Sequence, residues 1–173
     1  LARDLGFTVF SATIARLTYR LFNFMQPRFS PAARHKARRY AMQALYQWQL
    51  SGSSISQIEA EFSVDNDMSK VDVTYFRELL RGIPANLSDL NRQIEPFLDR
   101  PVQEVDPIEM ILLRMGTYEM QHRIDVPYRV VINEAVELAK KFGGTDGHKY
   151  INSVLDKLAL RLRAEETRGK RSK

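Results

Sequence analysis

Apolar side chains recur at steps of three and four residues along the chain from Ser30 onward, and this spacing constrains the fold more than any other feature. Residues 106–120 are typical, because Asp106 and Pro107 occupy positions that favour a helix start and a broad apolar stripe follows them. No segment shows the sustained alternation of apolar and polar residues that marks a strand. The sequence therefore predicts an all-α fold of about seven helices.

Polar residues and breaks in composition predict how these helices are arranged. Serine or aspartate precedes several of the apolar stripes, and we expect five of these residues to cap helices: Ser54, Asp72, Asp106, Asp125 and Asp146. A break in composition near residue 100 indicates two helical units that pack together. We predict two small bundles, formed by about residues 31–84 and 86–159.

The two ends of the chain differ from this helical domain of residues 31–159. Residues 1–30 contain one acidic residue, Asp4, and apolar residues at helical spacing, a composition typical of a targeting segment or an interfacial helix. Sequence upstream of the true start is the alternative that we favour, because Met25 precedes the helical domain. Residues 160–173 form a highly charged tail that we expect to fray.

The formal net charge of +5 favours an anionic partner such as nucleic acid, although a basic surface without a specific ligand is equally compatible with it. The chain has no cysteine, which excludes disulfides, thiolate zinc sites and cysteine nucleophiles and fits a reducing cytoplasm. Its apolar runs are shorter than the roughly 20 residues needed to span a bilayer, so we expect no membrane insertion.

The sequence contains few residue patterns that are typical of catalytic sites. The three histidines are His35, His122 and His148, and Asp146 lies two residues before His148. Such a pair at a helix start is more typical of capping than of catalysis. No zinc-protease, phosphate-loop or dinucleotide-binding motif occurs. We therefore expect neither enzymatic activity nor a cofactor.

Two basic helix starts indicate an RNA-binding surface. The first carries four cations at a position where the helix dipole also favours anions: Arg34, Lys36, Arg38 and Arg39. The second carries Lys149 beside Tyr150, whose ring could stack on an unpaired base of single-stranded RNA. The alternatives are a solvated basic face for the first group and an inward-packed ring for Tyr150.

Three segments resemble a known family. They are "PAARHKARRYAMQALYQWQLS" (31–51), "VDVTYFRELLRGI" (71–83) and "DVPYRVVINEAVELAKKFGGTDGHKYINSVLDKLA" (125–159). In a single register they resemble the bacterial transcription antitermination factors of the NusB family. The resemblance implies an all-helical fold of two small bundles and binding to the single-stranded boxA element of ribosomal RNA leader transcripts. It also implies partners: NusE (a ribosomal protein of the small subunit), other Nus factors and RNA polymerase. Some family members form homodimers, and the resemblance does not decide whether this chain forms one.

The resemblance also assigns individual residues. The arginine-rich start of the family maps onto Arg34, Lys36, Arg38 and Arg39, and the second RNA element maps onto Asp146, Lys149 and Tyr150. Tyrosine replaces the usual phenylalanine at 150 and keeps the stacking face. Asp146 would repel phosphate, which makes it an attenuator or a cap beside the RNA. The NusE surface maps onto Glu109 and Tyr46.

Two other functions stay open. A similar helical domain begins some ribosomal RNA methyltransferases, so this chain could be a fragment of such an enzyme. The other alternative is a docking module that binds only proteins, with an incidental basic patch.

Overall fold

A computed structural model describes residues 30–169 of the 173-residue chain, and the extra N-terminal segment predicted at residues 1–30 lies almost wholly outside this range. The described residues form eight α-helices and two 3-10 turns, without a strand, which confirms the all-α fold. The helices are α1 (Pro31–Ser51), α2 (Ile55–Asp65), α3 (Val73–Ala85), α4 (Leu87–Ile94), α5 (Pro107–His122), α6 (Tyr128–Phe142), α7 (Gly147–Leu162) and α8 (Ala164–Arg168). The 3-10 turns are Glu95–Phe97 and Val102–Glu104. No helix in residues 30–169 is long and apolar enough to cross a bilayer.

Three of the predicted caps are confirmed. The Ser54 hydroxyl accepts a hydrogen bond from the Gln57 amide at 3.2 Å, and Asp72 accepts one from the Tyr75 amide at 3.0 Å. The Asp106 carboxylate accepts from two amides of the first turn of α5. Each cap satisfies amide groups that have no partner within their own helix, and so fixes where α2, α3 and α5 begin.

Asp125 and Asp146 do not form the side-chain caps predicted for them, although Asp146 does occupy the N-cap position of α7. Asp125 forms ion pairs with Arg123 (2.9 Å) and Arg34 (3.3 Å), and α6 begins without a cap from this side chain. Asp146 has a backbone φ of 64°, outside the extended region in which capping side chains reach the first-turn amides. Its carboxylate pairs instead with Lys149 at 2.8 Å.

Helix α5 is the centre of the fold. Every residue from Met110 to Met120 is buried, so α5 is covered on all sides and not along one stripe alone. Helices α1, α3, α4, α6 and α7 all pack against it. Gly116 lets α7 approach closely, because a side chain there would collide with the Leu155 methyl groups. All eight helices belong to one compact unit, and the division into bundles at residues 31–84 and 86–159 stays a prediction.

A buried polar network joins three helices at the end of α5. Arg38 of α1 donates from Nε to the Glu119 carboxylate at 2.9 Å and from Nη2 to the Tyr75 hydroxyl at 3.1 Å. The Tyr75 hydroxyl in turn donates to Glu119. Burial and the neighbouring carboxylate of Glu119 both raise the pKa of Tyr75, which keeps the hydroxyl protonated as a donor. This network fixes α1 and α3 against α5.

The predicted fraying of the tail is not seen in residues 161–168, which complete α7 and form α8. Arg163 is buried, and its guanidinium donates to four backbone carbonyls at and beyond the end of α5: Glu119, Met120, Arg123 and Val126. A cation at this position complements the negative end of the helix dipole. Arg163 also pairs with Glu166, which accepts a hydrogen bond from the first amide of α6 at Tyr128.

We expect Glu119→Gln to destabilise the protein by about 3–5 kcal/mol, because it removes the buried counterion of Arg38 and leaves only the Glu134 carboxylate, 3.7 Å from Nη1. Urea unfolding followed by circular dichroism measures the change. Glu165→Gln is a matched control, because Glu165 forms a solvent-exposed pair with Arg168 whose loss should cost less than about 1 kcal/mol. Equal effects of the two substitutions would contradict a structural role for the network.

Candidate nucleic-acid interface

The basic start of α1 divides into an inner and an outer face. Ala37, Arg38 and Ala41 face the core, whereas Lys36 and Arg39 lie on the partly exposed opposite side. Arg38 is only 3% exposed, and its guanidinium donates hydrogen bonds to Glu119 and Tyr75. Because the Arg38 side chain is buried and already paired, it is not accessible for the RNA contact that the sequence predicts, and the candidate surface does not include it.

The first turn of α1 is anchored to its neighbours by acidic side chains. Arg34 pairs with Asp72 at 3.6 Å and with Asp125 at 3.3 Å. His35 Nδ1 lies 2.7 Å from the carboxylate of Glu134 on α6. The positive charge of Arg34 is thus largely balanced within the protein, which weakens its attraction for phosphate.

Lys36 and Arg39 are the cations of α1 that stay available to a ligand. Within residues 30–169 neither forms an ion pair with a carboxylate. The Arg39 guanidinium lies 5.0 Å from the centre of the Tyr40 ring, and its buried Nε atom has no hydrogen-bond partner among the described residues. These two side chains form the candidate phosphate-binding part of the surface.

The start of α7 carries the second predicted RNA element. Lys149 is 71% exposed and pairs with Asp146 at 2.8 Å, so each charge screens the other. Tyr150 is half-buried, and its ring lies beneath the exposed guanidinium of Arg100 at a centroid distance of 5.3 Å. Burial and the nearby carboxylate of Asp99 raise the pKa of the Tyr150 hydroxyl.

Helix α6 connects the two basic helix starts. The pKa of its exposed Glu137 is lowered by a hydrogen bond from Lys140 and, more weakly, by the charges of His35 and His148. His35 belongs to α1 and His148 to α7, so both lie within electrostatic reach of one carboxylate. His35 also contacts Glu134 one turn earlier on α6, so the beginnings of α1 and α7 both lie near this part of α6.

Glu109, predicted to bind a protein partner, lies next to the start of α7. A side chain at position 147 would collide with its carboxylate, so Gly147 allows this close packing. Burial raises the pKa of Glu109, the nearby Asp106 raises it further, and Arg100 opposes both. Within the described part of the chain Glu109 forms no ion pair, which leaves a half-buried carboxylate able to accept a cation.

Tyr46, the other predicted partner residue, lies toward the same end of α5 as Glu109. Helices α1 and α3 are parallel, as the contacts Arg34–Asp72 and Arg38–Tyr75 show. Helices α3 and α5 are antiparallel, as the contacts Glu78–Arg123 and Gly82–Tyr118 show. Helices α1 and α5 are therefore antiparallel. Tyr46 follows Arg38 by two turns of α1 and so lies toward the beginning of α5, where it packs half-buried against the core.

Comparison with known proteins decides the family. The model of the NusB family matches residues 35–160. The transcription antitermination protein NusB of Marinobacter nauticus is 62% identical over 135 residues, which cover 78% of this chain and 85% of that protein. NusB of Hahella chejuensis is 59% identical over 140 residues, covering 81% of this chain and 94% of the relative. The chain belongs to the NusB family.

The NusB fold is also found by structural comparison. A solved structure of T. maritima NusB superimposes with a TM-score of 0.67 at 26% sequence identity, covering 80% of this chain and 98% of that one. The family predicted from residues 31–51, 71–83 and 125–159 is thus confirmed. The roles of individual residues in this NusB-family chain stay predictions.

Sequence reasoning missed the acidic and basic residues that surround the predicted site. Glu134, Glu137, Asp99 and Arg100 carry no local signal, because their importance comes from helices and loops that meet only in the folded protein. The exposed Asp99–Arg100 pair before Pro101 has the composition of an ordinary loop. The contact of Arg100 with Tyr150 and the effect of Asp99 on the Tyr150 hydroxyl relate this loop to the site.

Low pH should weaken the ion pairs of Asp125 with Arg34 and Arg123, which hold the start of α1. The hydrogen bond from Arg123, together with Arg34, lowers the pKa of Asp125 to about 2 despite partial burial, against about 3.9 in an unfolded chain. The resulting stabilisation is present above about pH 4 and is lost as the pH falls toward about 2. Asp125→Asn should therefore flatten the pH dependence of the free energy of unfolding in this window.

Urea unfolding at several pH values between about 2 and 5 measures this dependence. Asp156→Asn is the control, because Asp156 is exposed and accepts a hydrogen bond from Asn152 without forming an ion pair in the described range. A pH dependence that is the same in wild type and Asp125→Asn would show that the Asp125 pairs contribute nothing to stability.

Proposed function

We propose that the protein is a cytoplasmic, non-enzymatic RNA-binding factor that promotes transcription antitermination. Membership of the NusB family supports this, because the relatives from Marinobacter nauticus and Hahella chejuensis are named transcription antitermination proteins. The net charge of +5 favours a polyanionic ligand. The proposed ligand is the single-stranded boxA element of ribosomal RNA leader transcripts.

The observation that carries this proposal is that both basic helix starts lie near one part of α6, where His35 of α1 contacts Glu134 at 2.7 Å and His148 of α7 acts on the charge of Glu137. An RNA strand could run from Lys36 and Arg39, past the end of α6, to Lys149 and Tyr150. The cations would neutralise phosphates and give salt-sensitive affinity. The ring of Tyr150 would stack on an unpaired base, and contacts to base edges nearby would select the sequence.

We further propose that the surface around Glu109 and Tyr46 binds NusE, through which the protein joins other Nus factors and RNA polymerase. The half-buried carboxylate of Glu109 supports this, because it has no cationic partner at ion-pair distance within residues 30–169. Its closeness to the start of α7 would place the protein partner beside the RNA. Such adjacency would let the two ligands bind as one assembly.

Lys36→Ala and Arg39→Ala should each weaken boxA binding and reduce the slope of log K against log salt concentration by about 0.7, the value expected for one phosphate contact on a single strand. Tyr150→Ala should cost about 1–3 kcal/mol of binding free energy and reduce discrimination against scrambled RNA. Fluorescence anisotropy of labelled RNA at several salt concentrations, with and without NusE, measures both quantities.

Arg92→Ala is the matched control, because Arg92 is an exposed cation of α4 that pairs with Asp89 and is not part of the proposed surface. It should leave binding and the salt slope unchanged. Wild-type protein that does not distinguish boxA from scrambled RNA, even with NusE present, would refute the RNA-binding function. Normal binding by all three site variants would refute the surface.

Asp146→Asn should tighten RNA binding several-fold, because it removes a negative charge beside the proposed RNA path and releases Lys149 from its ion pair. Asparagine is among the few residues that tolerate the left-handed backbone at this position, so the fold should be kept. The gain should shrink when Lys149 is also changed to methionine. An unchanged affinity for labelled boxA RNA in Asp146→Asn would show that this carboxylate does not attenuate binding.

A further inference from the structure

Arg100 covers the ring that the proposed function assigns to base stacking. It lies between the two 3-10 turns, and its guanidinium carbon is 5.3 Å from the centre of the Tyr150 ring. Asp99 holds this guanidinium through two hydrogen bonds, from Nε at 2.8 Å and from Nη2 at 3.2 Å. The outer face of Tyr150 is thus occupied by a cation in the free protein.

We propose that Arg100 is an RNA-binding residue that encloses an unpaired base against Tyr150. This inference rests on the proposed function and adds to it a second wall for the base pocket. The planar guanidinium of arginine stacks on nucleobases as an aromatic ring does. Tyr150 would contact one face of the base and Arg100 the other.

The distance between Arg100 and Tyr150 is too short for a base to lie between them in the free protein. A base in contact with groups on both faces needs roughly 7 Å between them, because each contact spans about 3.5–4 Å. At 5.3 Å the guanidinium must therefore move outward before a base can enter. This movement costs little, since Arg100 and Asp99 are both exposed and an exposed ion pair contributes little to stability.

The charges around Tyr150 give Arg100 a second effect. The carboxylates of Asp99 and Asp106 lie close enough to Glu109 to raise its pKa. Arg100 is the cation that opposes them at this position among the described residues. Without it, this end of the surface would repel the phosphates on either side of the stacked base.

A double-mutant cycle separates the two effects. Arg100→Ala should weaken binding of labelled single-stranded boxA RNA about tenfold, through lost stacking and lost charge. Arg100→Lys keeps the charge without the plane and should fall between wild type and Arg100→Ala. In a Tyr150→Ala background the loss caused by Arg100→Ala should shrink to about threefold, because only the charge effect remains.

The unfolding curve of each variant shows that the fold is kept, and Arg92→Ala again serves as the exposed-arginine control. Tighter or unchanged binding by Arg100→Ala would show that Arg100 only shields the ring, and would overturn the inference. Equal losses with and without the Tyr150 ring would reduce Arg100 to a general charge and overturn it too.

These failures differ from a failure of the proposed function itself. If Lys36→Ala and Arg39→Ala weaken binding while Arg100→Ala does not, the RNA surface stands and the role of Arg100 alone is refuted. If wild-type protein does not prefer boxA to scrambled RNA of the same length, both are refuted.

Discussion

The buried ion pair between Arg38 and Glu119 is the interaction on which the arrangement of this protein depends. It joins the basic start of α1 to the end of the central helix α5, and Tyr75 of α3 completes it. Two charges removed from water are stable only when each is well paired, so this network tolerates few alternative packings. The orientation of α1 follows from it, and with it the outward position of Lys36 and Arg39.

The cluster of cations at the start of α1 therefore serves two purposes. Arg34, His35 and Arg38 are held by carboxylates of other helices and fix the helix in place, while Lys36 and Arg39 stay available to an anion. Carboxylates also hold the cations around the start of α7, where Asp146 screens Lys149 and Asp99 holds Arg100 over Tyr150. Acidic neighbours thus weaken the attraction for any polyanion, which leaves sequence-dependent contacts a larger share of the binding free energy.

Much of the fold is predictable from sequence because local signals agree with it. Apolar spacing gives the helices, and Ser54, Asp72 and Asp106 cap them as their positions indicate. The errors arise where tertiary contacts outweigh local preference: Asp125 pairs with two arginines, and Asp146 adopts a left-handed backbone. For the site, spacing reveals a run of cations, but only packing shows that Arg38 turns inward and that Arg100 reaches Tyr150.

The contacts of Arg163 bear on how the chain tolerates shortening. The charged composition of the chain past Leu162 suggests that this segment is dispensable. However, the Arg163 guanidinium donates to carbonyls at the carboxyl end of α5, and its partner Glu166 accepts from the first amide of α6. Deleting the last eleven residues would leave backbone groups at both junctions exposed to competition from water. A shortened chain that keeps both junctions must therefore retain Arg163 and Glu166.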